Sequence, residues 1–272
     1  MAIFSLIGNF KLMVAKKYAL ISDIHGNLEA LNTSLNIIKE QKNIEKIIFL
    51  GDYFSLGPCP KEVFDILLNM PMDTIFIRGN HERYLMERIW ESKKPIIEGM
   101  SPGSSILNGI VKHQEWVNSK IGDELKSFIE QRTKISYSED IGSIHLEFTH
   151  AWYKRDEKAP TLNEVKEFSK KYFTSNKNIK KFILVHGHIH LKRIEIQKDF
   201  SVFCPISTGL PFDKLAKGTI GYLTINDNVK FEIQRFHYNK ELTIDLLKKR
   251  KPPFYKNLID TIKFAEIRNN HL

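Results

Sequence analysis

Residues 185–190 read VHGHIH, with His186, His188 and His190 on alternate positions around Gly187. In an extended chain, side chains i, i+2 and i+4 share a face, so three imidazoles could converge there. Four other stretches offer groups of the same kind: Asp23 and His25 in SDIHGN, Asp52 in GDYFSLGP, Asn80 and His81 in RGNHE, and His150 in FTHAW. Carboxylate, carboxamide and imidazole donors without thiolates suit Mn, Fe, Co, Ni or Zn and disfavour the soft-ligand metals. A carboxylate has two oxygens and can bridge two cations, so one bridging Asp with three further ligands on each side would complete a dinuclear site. Each stretch alone has an ordinary reading: Asp or Asn before Gly commonly makes a turn, and a lone His at a strand end more often packs or faces solvent. Five of them, each just after an apolar run, argue jointly for one site.

Those apolar runs are the elements that must place the groups. KKYALIS precedes DIHGN, and Leu28, Leu31, Leu35 and Ile38 follow at helical spacing, which reads as strand, loop, helix. KIIFL, GDYFSLGPCP and a helix opened by Pro60, with Val63, Ile66, Leu67 and Met70 on one side, repeat the pattern; DTIFI and RGNHER begin it a third time. Serial βα units predict parallel strands with helical crossovers, and such sheets bind ligands at the carboxyl ends of their strands, where these groups fall.

Residues 83–134 read as mostly helical, with Ile89, Trp90, Ile106, Ile110, Trp116, Ile121, Leu125 and Ile129 among charged residues and a break at Pro102-Gly103; they are expected to form an inserted helical subdomain. Strands return at SIHLEFTH and KKFILVHGHIH, around a helix over about residues 162–173. The short stretches KRIEIQ, SVFCPIS, TIGYLTI and VKFEIQRF follow, with NDN as the turn between the last two. The C-terminal part, with KKRKPP, reads as helical and amphipathic, its basic cluster a solvated face because no aromatic residues interleave it. MAIFSLIGNFKLMV is apolar but short, lacks an early basic region, and gives way to Lys16 and Lys17 rather than to a small-residue cleavage site. Residues 1–17 therefore read as an extension, with Met13 as an alternative start, before a domain over 18–272.

A chain of 272 residues, 42% hydrophobic and 27% charged, can bury a sizeable core. Its net charge of +9 and pI near 9.3 favour anionic partners: phosphate esters, nucleotides, nucleic acid or acidic membranes. No segment approaches the ~20 apolar residues of a membrane span. Cys59 and Cys204 are too few for a disulfide framework or a Cys-based zinc site, which suits a reducing, cytoplasmic setting.

The order DIH, GD, GNHE, H, GHIH resembles the calcineurin-like metallophosphoesterase superfamily over about residues 18–212. SDIHGNLEAL and GDYFSLGPCPKEV are most similar to its small bacterial and archaeal phosphodiesterase branch. The resemblance implies an α/β (α+β) fold, a four-layer double β-sandwich flanked by helices, with the later short strands forming the second sheet. It also implies that Asp23, His25 and His190 hold one divalent ion, that Asn80, His150 and His188 hold the other, and that Asp52 bridges them. Mn or Ni comes first for the two ions, with Fe, Co, Zn and Mg as alternatives. His186 precedes the glycine of the superfamily's Gly-His-x-His pattern, so it is expected to pack at the strand end or to hydrogen-bond a ligand. His81, next to Asn80, is implied as the general acid that protonates the leaving oxygen, after in-line attack on a phosphate ester by a hydroxide shared between the ions.

Two departures bear on substrate. In the protein serine/threonine phosphatases of the superfamily, the second motif continues with an Asp that orients the catalytic histidine and an Arg that grips phosphate. Here Ser55 and Leu56 stand in those places, which weighs against a protein phosphatase and leaves open what orients His81. CPISTGLP replaces the Asn-Pro-Gly-Ser-type loop of the small phosphodiesterases, with Cys204 and Ile206 altering its chemistry but not its expected place near the metals. The insertion after His81 and AWYKRDEK after His150 leave from the metal face and could cap it, where Arg83, Tyr84, Trp152, Lys154 and Arg155 could stack on a base or hold phosphate. The implied activity is hydrolysis of phosphodiesters or nucleotide-type substrates. A phosphomonoesterase and a dinucleoside polyphosphate hydrolase are the alternatives among enzymes, and a scaffold that kept the fold and lost catalysis is the alternative outside them. A scaffold predicts eroded ligands or a replaced His81, and the sequence has neither. Neither a membrane nor, specifically, a nucleic-acid partner is indicated.

Overall fold

Three βα units open the fold in a computed structural model that describes residues 15–153, 155–226 and 228–271. β1 (Lys16–Ile21) leads to α1 (Leu28–Glu40), β2 (Ile44–Phe49) to α2 (Pro60–Leu68), and β3 (Ile75–Ile77) to α3 (Asn80–Glu87). Local chemistry starts the first two helices: the Asn27 side chain accepts from Ala30 N at the head of α1, and Pro60 occupies the first turn of α2, where its missing N–H costs nothing. A 3-10 turn (Ile89–Glu91) precedes α4 (Ser105–Ile121) and α5 (Glu124–Arg132), which ends at β4 (Thr133–Lys134). β5 (Ser136–Ile141), β6 (Ile144–Thr149), α6 (Leu162–Ser175), β7 (Lys181–Val185), β8 (Lys192–Ile196) and β9 (Phe200–Pro205) follow. The chain closes with β10 (Gly218–Ile225), β11 (Val229–Phe236), α7 (Lys240–Arg250) and α8 (Tyr255–Phe264). Residues 1–14 of the expected extension and Lys154 lie outside the described residues, and β1 begins at Lys16 rather than near Tyr18.

Two mixed sheets face each other, in the orders β11-β10-β1-β2-β3-β4 and β5-β6-β7-β9-β8. β1 to β4 run parallel, as the serial βα reading expects. The expectation for the later strands needs correction: β8 and β9 do join the second sheet, but β10 and β11 extend the first. β10 pairs antiparallel with β1 from Lys16↔Ile225 to Leu20↔Gly221, so it covers the edge of β1 that β2 leaves free.

Tyr18, Leu20 and Ile48 of the first sheet pack against Leu146, Phe148, Ile183, Val185 and Phe203 of the second. The alternate residues Ala19 and Ile21 face outward onto Ala30, Leu31, Val63, Phe64 and Phe128 of α1, α2 and α5. On the far side, Val165 of α6 covers Phe182, Leu184 and Val202. Helix, sheet, sheet, helix is the four-layer double β-sandwich. The central strands are apolar on both faces because both faces are covered. Val117 and Ile121 of α4 also enter the core of the first sheet, so the helical segment after α3 is packed into the main body. Among the described residues, no helix is long and apolar enough to cross a membrane.

One ionic cluster ties the two sheets together. Glu139 of β5 accepts from Lys16 Nζ of β1 at 2.6 Å, from Lys46 Nζ of β2 at 3.2 Å and from the Tyr137 hydroxyl at 2.9 Å. Partial burial would raise the Glu139 carboxyl, but Lys16, Tyr137 and Lys46 more than offset it and hold it at about 2, below its ordinary 4.5. A carboxyl depressed in the folded state stabilises above its unfolded pKa and loses that contribution as pH falls through its folded one. Glu139→Gln is therefore expected to lower stability by about 1–2 kcal/mol at pH 7, after discounting for solvent screening. The gap to the parent protein should shrink between pH 4.5 and about 2, read by urea unfolding across that range.

Candidate metal centre

The loops after β1, β2, β3, β6 and β7 meet at one end of the sandwich and are laced together through their backbones. Asp23 N donates to Gly51 O at 3.1 Å, His25 N to Asp52 O at 3.0 Å and Gly187 N to His150 O at 2.8 Å. Turning the side chains inward forces unusual backbone: Asp23, His25, Asp52, His188 and His190 all have φ between 51° and 69°, the left-handed region that L residues avoid. Such conformations cost of order 1 kcal/mol or more each and persist only where surroundings over-determine them. Glycine supplies the close approaches. A Cβ on Gly187 would lie 2.9 Å from Asp23 Oδ2, and one on Gly79 would lie 2.6 Å from Asp52 N.

The donors gather into two groups. Asp23, His25, Asp52 and His190 each bring one ligand atom within 4.8 Å of the others, and so do Asp52, His150 and His188, with Asp52 common to both. Asn80 Oδ1 joins the second group, 2.9 Å from His150 Nε2 and 3.2 Å from His188 Nδ1. Backbone carbonyls set the imidazole tautomers. His25 Nδ1 meets Ser55 O at 2.9 Å, His150 Nδ1 meets Leu50 O at 2.7 Å and His190 Nδ1 meets Leu210 O at 2.5 Å, so each ring donates there and keeps its lone pair on Nε2. Those lone pairs face other acceptors: His25 Nε2 is 3.1 Å from His190 Nε2, and His150 Nε2 is 3.3 Å from Asp52 Oδ2. Acceptors turned on acceptors repel unless positive charge lies among them, so this donor set fits divalent cations of the borderline kind.

The electrostatics of the bare side chains agree. Burial lowers the His150 imidazole, but Asp52 more than offsets that and raises it to about 10, the mark of a place that draws positive charge. His25, by contrast, is pushed down to about 3 by burial and by His190. Burial would raise Asp52, yet His150 and His81 hold it well below the usual carboxylate range. Glu82, the last residue of RGNHE, was given no role from sequence; it is fully buried and accepts from Asp52 N and Tyr53 N at 2.8 Å and from Gly79 N at 2.9 Å. Its carboxylate fastens the β2 loop to the head of α3.

His81 lies beside the donor groups, with its backbone N donating to Asp52 Oδ1 at 3.0 Å and its ring edge-on to His25 of the first. What touches His81 Nδ1 is Gln114 Nε2 of α4, at 2.6 Å, while Gln114 Oε1 accepts from Ser55 Oγ at 2.8 Å. Sequence reasoning missed Gln114, because nothing in KHQEW distinguishes it from the rest of a helix face. The loop CPISTGLP reaches the same place: Ser207 Oγ donates to Asp23 O at 2.7 Å, and Leu210 O holds His190. Ile206 there has φ 76°, a costly conformation for a β-branched residue.

The remaining candidates are dispersed. His186 is buried outside both groups, its Nδ1 2.9 Å from Gly187 O and its Nε2 3.5 Å from Arg193 Nη1. Arg83 turns away to Asp156, Glu157 and Glu87, and Arg155 pairs with Glu164. Trp152 packs edge-on against Phe168 of α6. Tyr84 lines the cavity at the site, with its hydroxyl 3.2 Å from Asn80 Nδ2. Leu56 lines that cavity too.

Two donor groups sharing a buried Asp, at the carboxyl ends of a double β-sandwich, are the pattern of a metallophosphoesterase. The profile of the calcineurin-like phosphoesterase family matches residues 16–252, and the chain belongs to that family. Uncharacterized protein MJ0912 of Methanocaldococcus jannaschii is 26% identical over 253 residues, spanning 89% of this chain and 96% of that protein. The fold is similar to that of hypothetical protein PH1004 of Pyrococcus horikoshii, with TM-score 0.71 and 20% identity over 90% of this chain and 97% of that one. A metallophosphoesterase of Sphaerobacter thermophilus is also similar, with TM-score 0.64 and 15% identity over 93% and 100%.

Gly79→Ala, which drives a methyl group into the Asp52 backbone, is expected to destabilise the protein by about 1–3 kcal/mol and to weaken metal uptake. Chemical unfolding of the metal-free protein and a metal titration check the two effects separately.

Proposed function

We propose that the protein is a phosphoesterase that works with two divalent ions, Mn or Ni foremost. Asp23, His25 and His190 would hold one ion and Asn80, His150 and His188 the other, with Asp52 available to both. The observation that carries this reading is the single buried carboxylate of Asp52 shared by both donor groups, with the His81 ring alongside. When bound, such a pair of ions lowers the pKa of a water toward ~7 and clamps phosphate oxygens for in-line displacement.

The chain's own part is to position and to move a proton. The Gln114 amide, whose oxygen and nitrogen ends are interchangeable, meets His81 Nδ1 at 2.6 Å; with its oxygen accepting from Nδ1–H and its nitrogen donating to Ser55 Oγ it holds the imidazolium form, whose acid proton sits on Nε2. From there His81 gives it to the leaving oxygen, a general-acid role worth about 10²–10⁴ in rate. Gln114, steadied by Ser55, takes the orienting part that an Asp plays in the serine/threonine phosphatases.

Phosphodiesters, as in the small bacterial and archaeal branch, are the substrate class we favour. A diester carries one negative charge, and among the described residues no Lys or Arg lines the cavity to meet the second charge of a monoester. Intact donor groups weigh against a scaffold without catalysis. The free, buried thiols of Cys59 and Cys204 support a reducing compartment such as the cytoplasm.

The test is hydrolysis of a chromogenic diester beside its monoester, using metal-stripped protein refilled with Mn, Ni, Co, Mg or Zn. Mn or Ni should restore diester cleavage; silence with two ions bound per chain sinks the reading. His81→Ala should keep both ions and lose about 10²–10⁴ in turnover, most on poor leaving groups. Gln114→Ala should lose about tenfold on an alkyl leaving group and little on p-nitrophenolate, since only the former needs the proton. An equal loss on both would remove Gln114 from proton delivery.

A further inference from the structure

The cavity beside the donor groups has a volume of about 320 Å3, and its character changes abruptly away from them. Beyond the polar end, its walls are Ile97, Met100, Ile106 and Ile110, from α4 and the segment before it, with Phe254 and Leu258 at the start of α8. Phe254 and Leu258 lie just past residue 252, where the family match stops. The polar groups on the far side are few: the Thr261 hydroxyl already accepts from Arg268 N at 3.1 Å, and Asn269 stands near Ile267.

Charge sharpens the point. The chain has a net charge of +9, yet among the described residues no Lys or Arg lines this space. The acids outside the donor groups are Glu98 and Glu157, and Glu157 is already occupied by Arg83 and by Glu98 N. An apolar wall with carboxylates beside it repels a second phosphate. Pockets of this size and lining hold organic groups by burial.

We propose that this cavity seats the organic arm of the substrate ester, and that the arm is uncharged and apolar: an aryl ring or an alkyl chain of about six carbons, not a nucleoside or a polyphosphate. A cavity of about 150 Å3 holds a benzene ring, and this one is about twice that, which leaves room for the phosphate as well. The inference rests on the metal and phosphate reading above for the anchored end. It departs from the nucleotide-type substrate expected from sequence.

Calorimetric titration of the Mn-loaded full chain with methyl-, butyl- and hexylphosphonate and with 5′-AMP tests it, because phosphonates bind without being cleaved. The dissociation constant should tighten about two- to fourfold per added methylene, with an increasingly negative heat-capacity change, and 5′-AMP should bind no tighter than methylphosphonate. Ile106→Lys, at a half-buried wall position, should bring the hexyl-to-methyl ratio to about one. Hexylphosphonate binding no tighter than methylphosphonate, or 5′-AMP binding tighter than hexylphosphonate, overturns the proposal. Ester hydrolysis run in parallel separates the two readings. A steep binding series with no ester cleaved keeps the pocket and removes the catalysis, whereas cleavage with a flat series does the reverse.

Discussion

Asp52 is buried with one carboxylate oxygen 3.3 Å from His150 Nε2 and 3.8 Å from His25 Nε2, while the other accepts from His81 N. A lone charge in such a place would cost several kcal/mol in lost solvation. Much of the surrounding structure answers that cost: imidazoles on both sides and a backbone donor to the second oxygen. The same arrangement defines what the site can take up, because acceptors brought this close demand cations among them.

Holding acceptors together requires a stiff frame, and the frame is backbone. Five donor residues adopt left-handed φ values, a local strain that an isolated loop would release. Here the loops cannot relax independently, since β1, β2, β6 and β7 end side by side and their first loop residues hydrogen-bond across. Glu82 adds a buried carboxylate that gathers three backbone donors from two of these loops. Strain at the site is thus offset by the sheets that carry it, whose facing side chains form a continuous apolar layer.

The helical segment after α3 contributes on two levels. Its inner face, through Val117 and Ile121, belongs to the core under the first sheet. One turn back toward its start, Gln114 reaches His81, and further back Ile110 and Ile106 wall the cavity. One helix therefore joins general fold stability, the orientation of the imidazole and the character of the space beyond it.

Much was legible from the sequence because the signals were local. Apolar runs followed by DIHGN, GDYF and GNHE announce strand, loop and helix, and period and turn chemistry act over a few residues. The gathering of Asp23, His25, Asp52, Asn80, His150, His188 and His190 at strand ends could be expected for the same reason. What only the tertiary structure decided involved pairs far apart in the chain. Whether TIGYLTI and VKFEIQRF join the first sheet or the second depends on which strand edge is left unpaired, and backbone hydrogen-bonding groups are the same at every edge. Gln114 stands 33 residues from His81, and Ser55 a further 26 before that, so no local pattern links them; only the packing of α4 does. The cavity is decided the same way, because Ile97, Ile110 and Leu258 are ordinary apolar residues in sequence and become a wall only where separate helices close over the metal face. Side-chain type and spacing set what chemistry is on offer, and the meeting of distant segments sets what that chemistry can reach.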